Sequence, residues 1–185
     1  MEPLTYKFTA EQYQMMGKLG IFHPEVRVEL INGEIIIMSP VGLKHSVTIN
    51  RLNRFLVQSM GEMGIVSVQN SFRMPDYSEP EPDILVLKPR EDFYAGKFPL
   101  AEDILLLIEV ADSSLRYDQT IKLSLYAEQH IAEYWIANLE RDVLEIYRQP
   151  QNKSYLTQSL IDGSHVTFAP LAFPHLTMTL KEIYG

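Results

Sequence analysis

Apolar positions along the chain alternate between a period of two and a period near four, and the changes of period predict an ordered series of strands and helices. VRVEL and GEIIIM are two strand-like runs around Asn32-Gly33, the dipeptide that best tolerates positive φ, so a hairpin is predicted there. Ahead of it, Thr9 followed three residues later by Gln12 is a capping-box spacing that opens a short helix through about Lys18. Between Lys44 and Met60, the residues Ile49, Leu52, Phe55, Leu56 and Met60 recur at steps of three or four, which makes one apolar helical face.

Three further runs, 65–68, 84–87 and 104–110, read as strands. The last, ILLLIEV, is apolar on both alternations and is expected at the centre of a sheet, buried on both faces. Tyr117, Ile121 and Leu125 then step every four residues and predict a helix over 117–129 with that stripe inward. EYWIAN and DVLEIYR flank a polar turn, and SYLTQSLI and HVTFA flank Asp162-Gly163-Ser164, so two C-terminal hairpins are expected. The residues between Pro75 and Pro82 read as a loop, and no repeat or low-complexity segment interrupts the pattern. The fold class is α/β, or α+β: a mixed sheet flanked by helices, with hairpins at both ends.

With 185 residues and 46% hydrophobic composition, the chain is long enough for one domain, 1–185, with a substantial core. The absence of cysteine removes disulfide and thiolate chemistry and points to a reducing compartment. MEPLTYKFTAEQYQ has neither the basic nor the apolar part of a signal peptide, and no run approaches a membrane span, so a soluble, cytoplasmic protein is expected. A net charge of −8 counts against a broadly basic nucleic-acid surface. Even the central stretch 44–122 holds nine Lys or Arg against twelve acids.

The chemistry begins with two acids at strand ends. Asp83 directly follows Pro82 and opens the run 84–87, whereas Glu109 lies near the end of 104–110. A carboxylate in an apolar run must be paired, metal-bound or protonated. If the strands pair antiparallel, the two acids face one another within about 5 Å; if parallel, they are roughly 15–20 Å apart. The connection KPREDFYAGKFPLAED lacks a crossover-helix pattern, which favours the antiparallel arrangement. Two close carboxylates suit a hard divalent ion such as Mg2+, though a structural ion pair and a glycosidase-type acid/base pair remain open. The glycosidase reading lacks a sugar platform, since Trp135 has bulky apolar neighbours and reads as core. Lys122 lies in the helix after the central strand and could reach Glu109; with Asp118 it is equally an ordinary exposed i, i+4 pair.

In order and spacing, the "PD" of Asp83, "IEVADSS" around Glu109, Asp118, Lys122, Tyr126 and "EYWI" (133–136) resemble the Uma-type restriction-endonuclease family. Its members are restriction-endonuclease-like domains of the PD-(D/E)XK nuclease superfamily. "ELINGEIIIMSP" (29–40) followed by His45 fits the same pattern, and the resemblance covers about residues 25–148. It implies metal-dependent hydrolysis of nucleic-acid phosphodiester bonds, with DNA the first candidate partner; a homodimer is expected because an acidic monomer of this size has little surface with which to hold a duplex. Mg2+ or Mn2+ would be held by Asp83, Glu109 and the carbonyl of Val110, with Lys122 stabilising phosphorane charge. Glu29, His45 and Asp118 are accessory candidates: Glu29 as a ligand through water or a solvated hairpin acid, His45 as a hydrogen-bonded core histidine, proton shuttle or phosphate contact. The superfamily signature wants its Lys two residues after the Glu, where this chain has Ala111. Glu79 and Glu81 rank below Asp83. The competing function is a metal-free nuclease fold kept as a binding or regulatory module, which the acidic charge and Ala111 favour.

Overall fold

Strand β5 (Ile104–Ala111) carries apolar residues on both alternations, and the sheet forms around it. The computed structural model describes residues 4–185; residues 1–3, the head of the stretch read for a leader peptide, lie outside them. Six strands, β3 (Ile65–Val68), β4 (Ile84–Leu87), β5, β6 (Glu133–Asn138), β7 (Val143–Gln151) and β8 (Ser154–Ile161), lie side by side in chain order. Every pairing is antiparallel except β5 with β6. That parallel step follows from the helical connection between the two strands, since only a crossover returns the chain to the same end of a sheet.

Each face of β5 feeds its own core. Leu106, Ile108 and Val110 meet Ile49, Leu52, Leu56 and Met60 of α2 (Leu43–Met60), together with Leu180 and Ile183 of the terminal helix α5 (Leu180–Tyr184). Leu107 and Ala111 face Leu125, Tyr126 and Tyr134 on the opposite side. Because both layers press on β5, truncating fully buried Leu107 to Ala would cost about 2–5 kcal/mol. Helix α1 (Ala10–Lys18) begins at Thr9 with the predicted capping box.

The Asn32-Gly33 hairpin forms between β1 (Val28–Ile31) and β2 (Glu34–Ile37), with φ of 50° and 77° at the two turn residues. It is tied to the 75–82 loop by a backbone bridge between Leu30 and Glu79. Glu29 therefore hangs from a clamped ribbon.

Two expectations are corrected. Asp162-Gly163-Ser164 does not close a hairpin: β8 pairs with β7 through the turn at Asn152, and the following segment instead bridges Phe168 to Met178. The 117–129 helix is interrupted. It runs as α3 (Leu115–Tyr117), a π-helical turn (Asp118–Lys122) and α4 (Leu123–Glu128). The wider π turn rotates the inward face onto Asp118 and Lys122, 2% and 4% exposed, while Ile121 of the predicted apolar stripe stands 44% exposed. Among the described residues no helix is long and apolar enough to cross a membrane.

Candidate functional site

Beyond the last β4–β5 pair, Ile84 with Ile108, side chains take over the ladder. The Asp83 amide donates to Oε2 of Glu109 at 3.2 Å, and the Val110 amide donates to Oδ2 of Asp83 at 2.9 Å. Each acid is thus anchored by backbone of the opposite strand, at the edge of a cavity of about 280 Å³. Antiparallel pairing, which the connection favoured, brings the two carboxylates together.

Val110 contributes a third oxygen. The Ala111 carbonyl accepts from Leu139 next to β6, so by strand alternation the Val110 amide and carbonyl both face the β4 side. Its amide meets Asp83, and its carbonyl looks out where the β4 ladder has ended.

Lys122 reaches the pair from the π turn. Its ammonium lies 2.9 Å from Oε1 of Glu109 and 3.3 Å from Oε2 of Glu29. Tyr126, one turn on, donates to the same Glu109 Oε1 at 2.7 Å. The exposed Asp118–Lys122 pair is excluded, since both side chains are buried and Lys122 turns to other acids. Asp118 accepts from Ser114 at 2.6 Å and lines the same cavity. The solvated reading of Glu29 also fails: it is buried and accepts from the Glu81 amide at 3.2 Å.

His45, in the first turn of α2, places Nε2 at 3.0 Å from Oδ2 of Asp83. An ionised carboxylate offers only acceptors, so Nε2 carries the hydrogen, and in the neutral ring Nδ1 is the free acceptor. That Nδ1 is buried without a partner.

Five carboxyl groups, Glu29, Asp83, Glu109, Asp112 and Asp118, line this cavity with the Lys122 ammonium and the Arg27 guanidinium, and all but Asp112 and Arg27 are buried. Burial pushes Glu109 up to about 8 even with Lys122 beside it, and Asp118 up to about 6. Burial also works to raise Asp83, but the His45 hydrogen bond and charge, the Val110 amide and Lys122 outweigh it and hold Asp83 below the usual carboxylate range. For Lys122 burial favours the neutral amine, yet Glu109, Glu29 and Asp118 prevail and keep it protonated.

The oxygen donors, two carboxylates and a carbonyl, match a hard divalent ion that retains several waters. Among the described residues no group of three or more His, Cys, Asp or Glu side chains is arranged to hold a metal, so water would fill the remaining positions.

The other acids have structural partners. Glu79 receives Gln14 at 2.8 Å, and Glu81 pairs with Arg27. Buried Glu133 receives Trp135 and Arg148, so Trp135 is core. Two tyrosines at the site were given no role by the sequence reading. Tyr126 stands four residues after Lys122 and could have been found from that spacing. Tyr117 was assigned to an apolar stripe, and only the π turn reveals that its hydroxyl is buried at the cavity.

A family model named Uma2, described as "Putative restriction endonuclease", matches residues 10–181. Among solved structures, the chain is similar to one titled as a "putative nuclease belonging to DUF820" from Anabaena variabilis, at 18% identity and a TM-score of 0.74. That similarity covers 96% of this chain and 97% of the other, and it shows a shared fold. No curated protein matches the chain.

Proposed function

From the premise that the chain belongs to the Uma2 family of restriction-endonuclease-like proteins, we propose that it is a divalent-metal-dependent endonuclease acting on nucleic acid, with DNA the first candidate. The observation that carries this reading is the charge balance at the cavity. Four buried carboxyl groups face one buried ammonium, and so large an acid excess calls for a cation.

Asp83, Glu109 and the Val110 carbonyl would hold Mg2+ or Mn2+, which when bound polarises a phosphoryl oxygen and acidifies water. The protein's own groups do the rest. Glu109 keeps Oε2 toward Asp83 while Lys122 and Tyr126 occupy Oε1, so its carboxylate is oriented before any ligand arrives. Lys122 donates to Glu109 and forms an ion pair with Glu29, leaving an N–H for a phosphate oxygen on which charge builds. His45, oriented by Asp83, offers Nδ1 to take a proton from an attacking water.

The test is cleavage of DNA duplex, DNA single strand and RNA in Mg2+ and in Mn2+, repeated with Asp83→Ala and Lys122→Ala. The expected result is metal-dependent cleavage that falls at least 100-fold in both variants. No cleavage of any substrate, or equal cleavage in the variants, would overturn the reading. A second reading, a binding or regulatory module that keeps the fold without the reaction, is favoured by one feature: Lys122 is already satisfied by two buried carboxylates.

A further inference from the structure

Among the described residues, three buried side-chain polar atoms have no hydrogen-bond partner: His45 Nδ1, Arg73 Nε and Tyr117 Oη. Two of the three, His45 and Tyr117, line the cavity of Asp83, Glu109 and Lys122. Native proteins rarely leave such atoms unpaired, and their concentration at one cavity marks it as a place where a ligand completes the bonding. In the neutral ring His45 Nδ1 is an acceptor. Tyr117 Oη is a donor seeking an acceptor, because burial first, and then Glu29, raise its ionisation to about 12 and keep the phenol neutral.

Each buried carboxylate at the cavity already accepts from another group. Glu109 Oε1 receives Lys122 and Tyr126, Asp83 Oδ2 receives His45 and Val110, Asp118 receives Ser114, and Glu29 receives the Glu81 amide and forms an ion pair with Lys122. None of these oxygens bonds to Tyr117 Oη, which has no acceptor in the structure, so a ligand entering the cavity would supply one. It must tolerate an acid-rich cavity, which an oxygen on a metal-bridged phosphate does.

We infer that the Tyr117 hydroxyl donates to a non-bridging oxygen of the substrate phosphodiester, making Tyr117 a substrate-contacting residue. The inference rests on the nuclease reading above. Tyr117 directly precedes the π turn that carries Lys122, so a neutral donor and a charged donor would approach the phosphate from one continuous helical segment.

The test is Tyr117→Phe, read by two measurements that a packing role and a phosphate contact move differently. One is the affinity for a short fluorescein-labelled DNA, duplex and single-stranded, in Ca2+ to suppress hydrolysis. The other is the Tm of the ligand-free protein. Removing an unpaired buried hydroxyl should leave Tm unchanged or raise it, while affinity for the DNA falls roughly tenfold. Wild-type binding with unchanged affinity in the variant would overturn this inference and leave the nuclease reading standing. A Tm lowered by several degrees would overturn it too, by showing that the hydroxyl serves the fold. If the wild type binds neither DNA, this inference falls, while the nuclease reading is decided by the cleavage test, RNA included.

Discussion

Asp83 and Glu109 are joined through their backbones as well as by proximity: the amide of Asp83 donates to the Glu109 carboxylate, and the amide following Glu109 donates to the Asp83 carboxylate. The two acids prolong the β4–β5 ladder by one side-chain rung. Such a rung orients both carboxylates at the end of the sheet, at the edge of the cavity.

Removing the Lys122 ammonium should expose the cost of the acid cluster. Lys122→Met leaves Glu109 and Glu29 buried without their cation, and breaking a buried pair in this way costs about 3–5 kcal/mol. Urea unfolding would measure it. Adding Glu29→Gln to Lys122→Met should restore part of the loss, because the two residues share one interaction and their effects are not additive.

The pH dependence of stability should carry the mark of Glu109. Its carboxyl is raised in the folded, metal-free protein to about 8, above the ordinary carboxylate value it has when unfolded. The folded state then binds the extra proton, so this contribution is complete at low pH and is lost as pH rises from about 4.5 to about 8. Asp83 is shifted downward and contributes in the opposite direction, at lower pH. Comparing Tm across pH 5–8 for wild type and Glu109→Gln isolates the first effect: the wild type declines, and the variant is flatter over the same window.

His45→Ala should weaken metal binding without removing a metal ligand. The imidazole holds one Asp83 oxygen at 3.0 Å, and loss of such an orienting partner typically lowers metal affinity 10–100-fold. Mn2+ titration followed by paramagnetic line broadening or calorimetry measures this directly. His45→Gln, which can still donate to Asp83, should recover part of it.

A buried acid outside the cavity supplies the contrast. Glu133 is fully enclosed by Trp135, Arg148 and the Leu171 amide. Glu133→Ala should destabilise by about 3–5 kcal/mol, leaving Arg148 without its carboxylate, while Mn2+ affinity of the folded fraction stays unchanged.

Much of this arrangement was legible from residue patterns because local rules and tertiary demands agree there. Thr9 with Gln12, Asn32-Gly33 and the doubly apolar β5 each specify their own geometry. The Asp83–Glu109 approach followed from a connection too irregular for a crossover. What stayed hidden depended on tertiary override. Period-four reasoning put Ile121 inward, but the π turn widens the helix and turns Asp118 and Lys122 to the cavity, a rotation that only the buried acids compensate. Glu29 looked like a hairpin surface acid because nothing local announces that its ribbon is clamped to Glu79. The Asp162-Gly163-Ser164 turn signal lost to the β7–β8 pairing, which engages almost every residue of β8 from the other side.

The central claim, that Asp83 and Glu109 form a divalent-cation site, is tested most directly by a crystal structure grown with Mn2+ and read by anomalous scattering. The account predicts one strong peak within ligating distance of a carboxylate oxygen from Asp83 and from Glu109, beside the Val110 carbonyl, and absent in Asp83→Ala. A cavity without a peak at millimolar Mn2+, or a peak held by other residues and kept in Asp83→Ala, would contradict it.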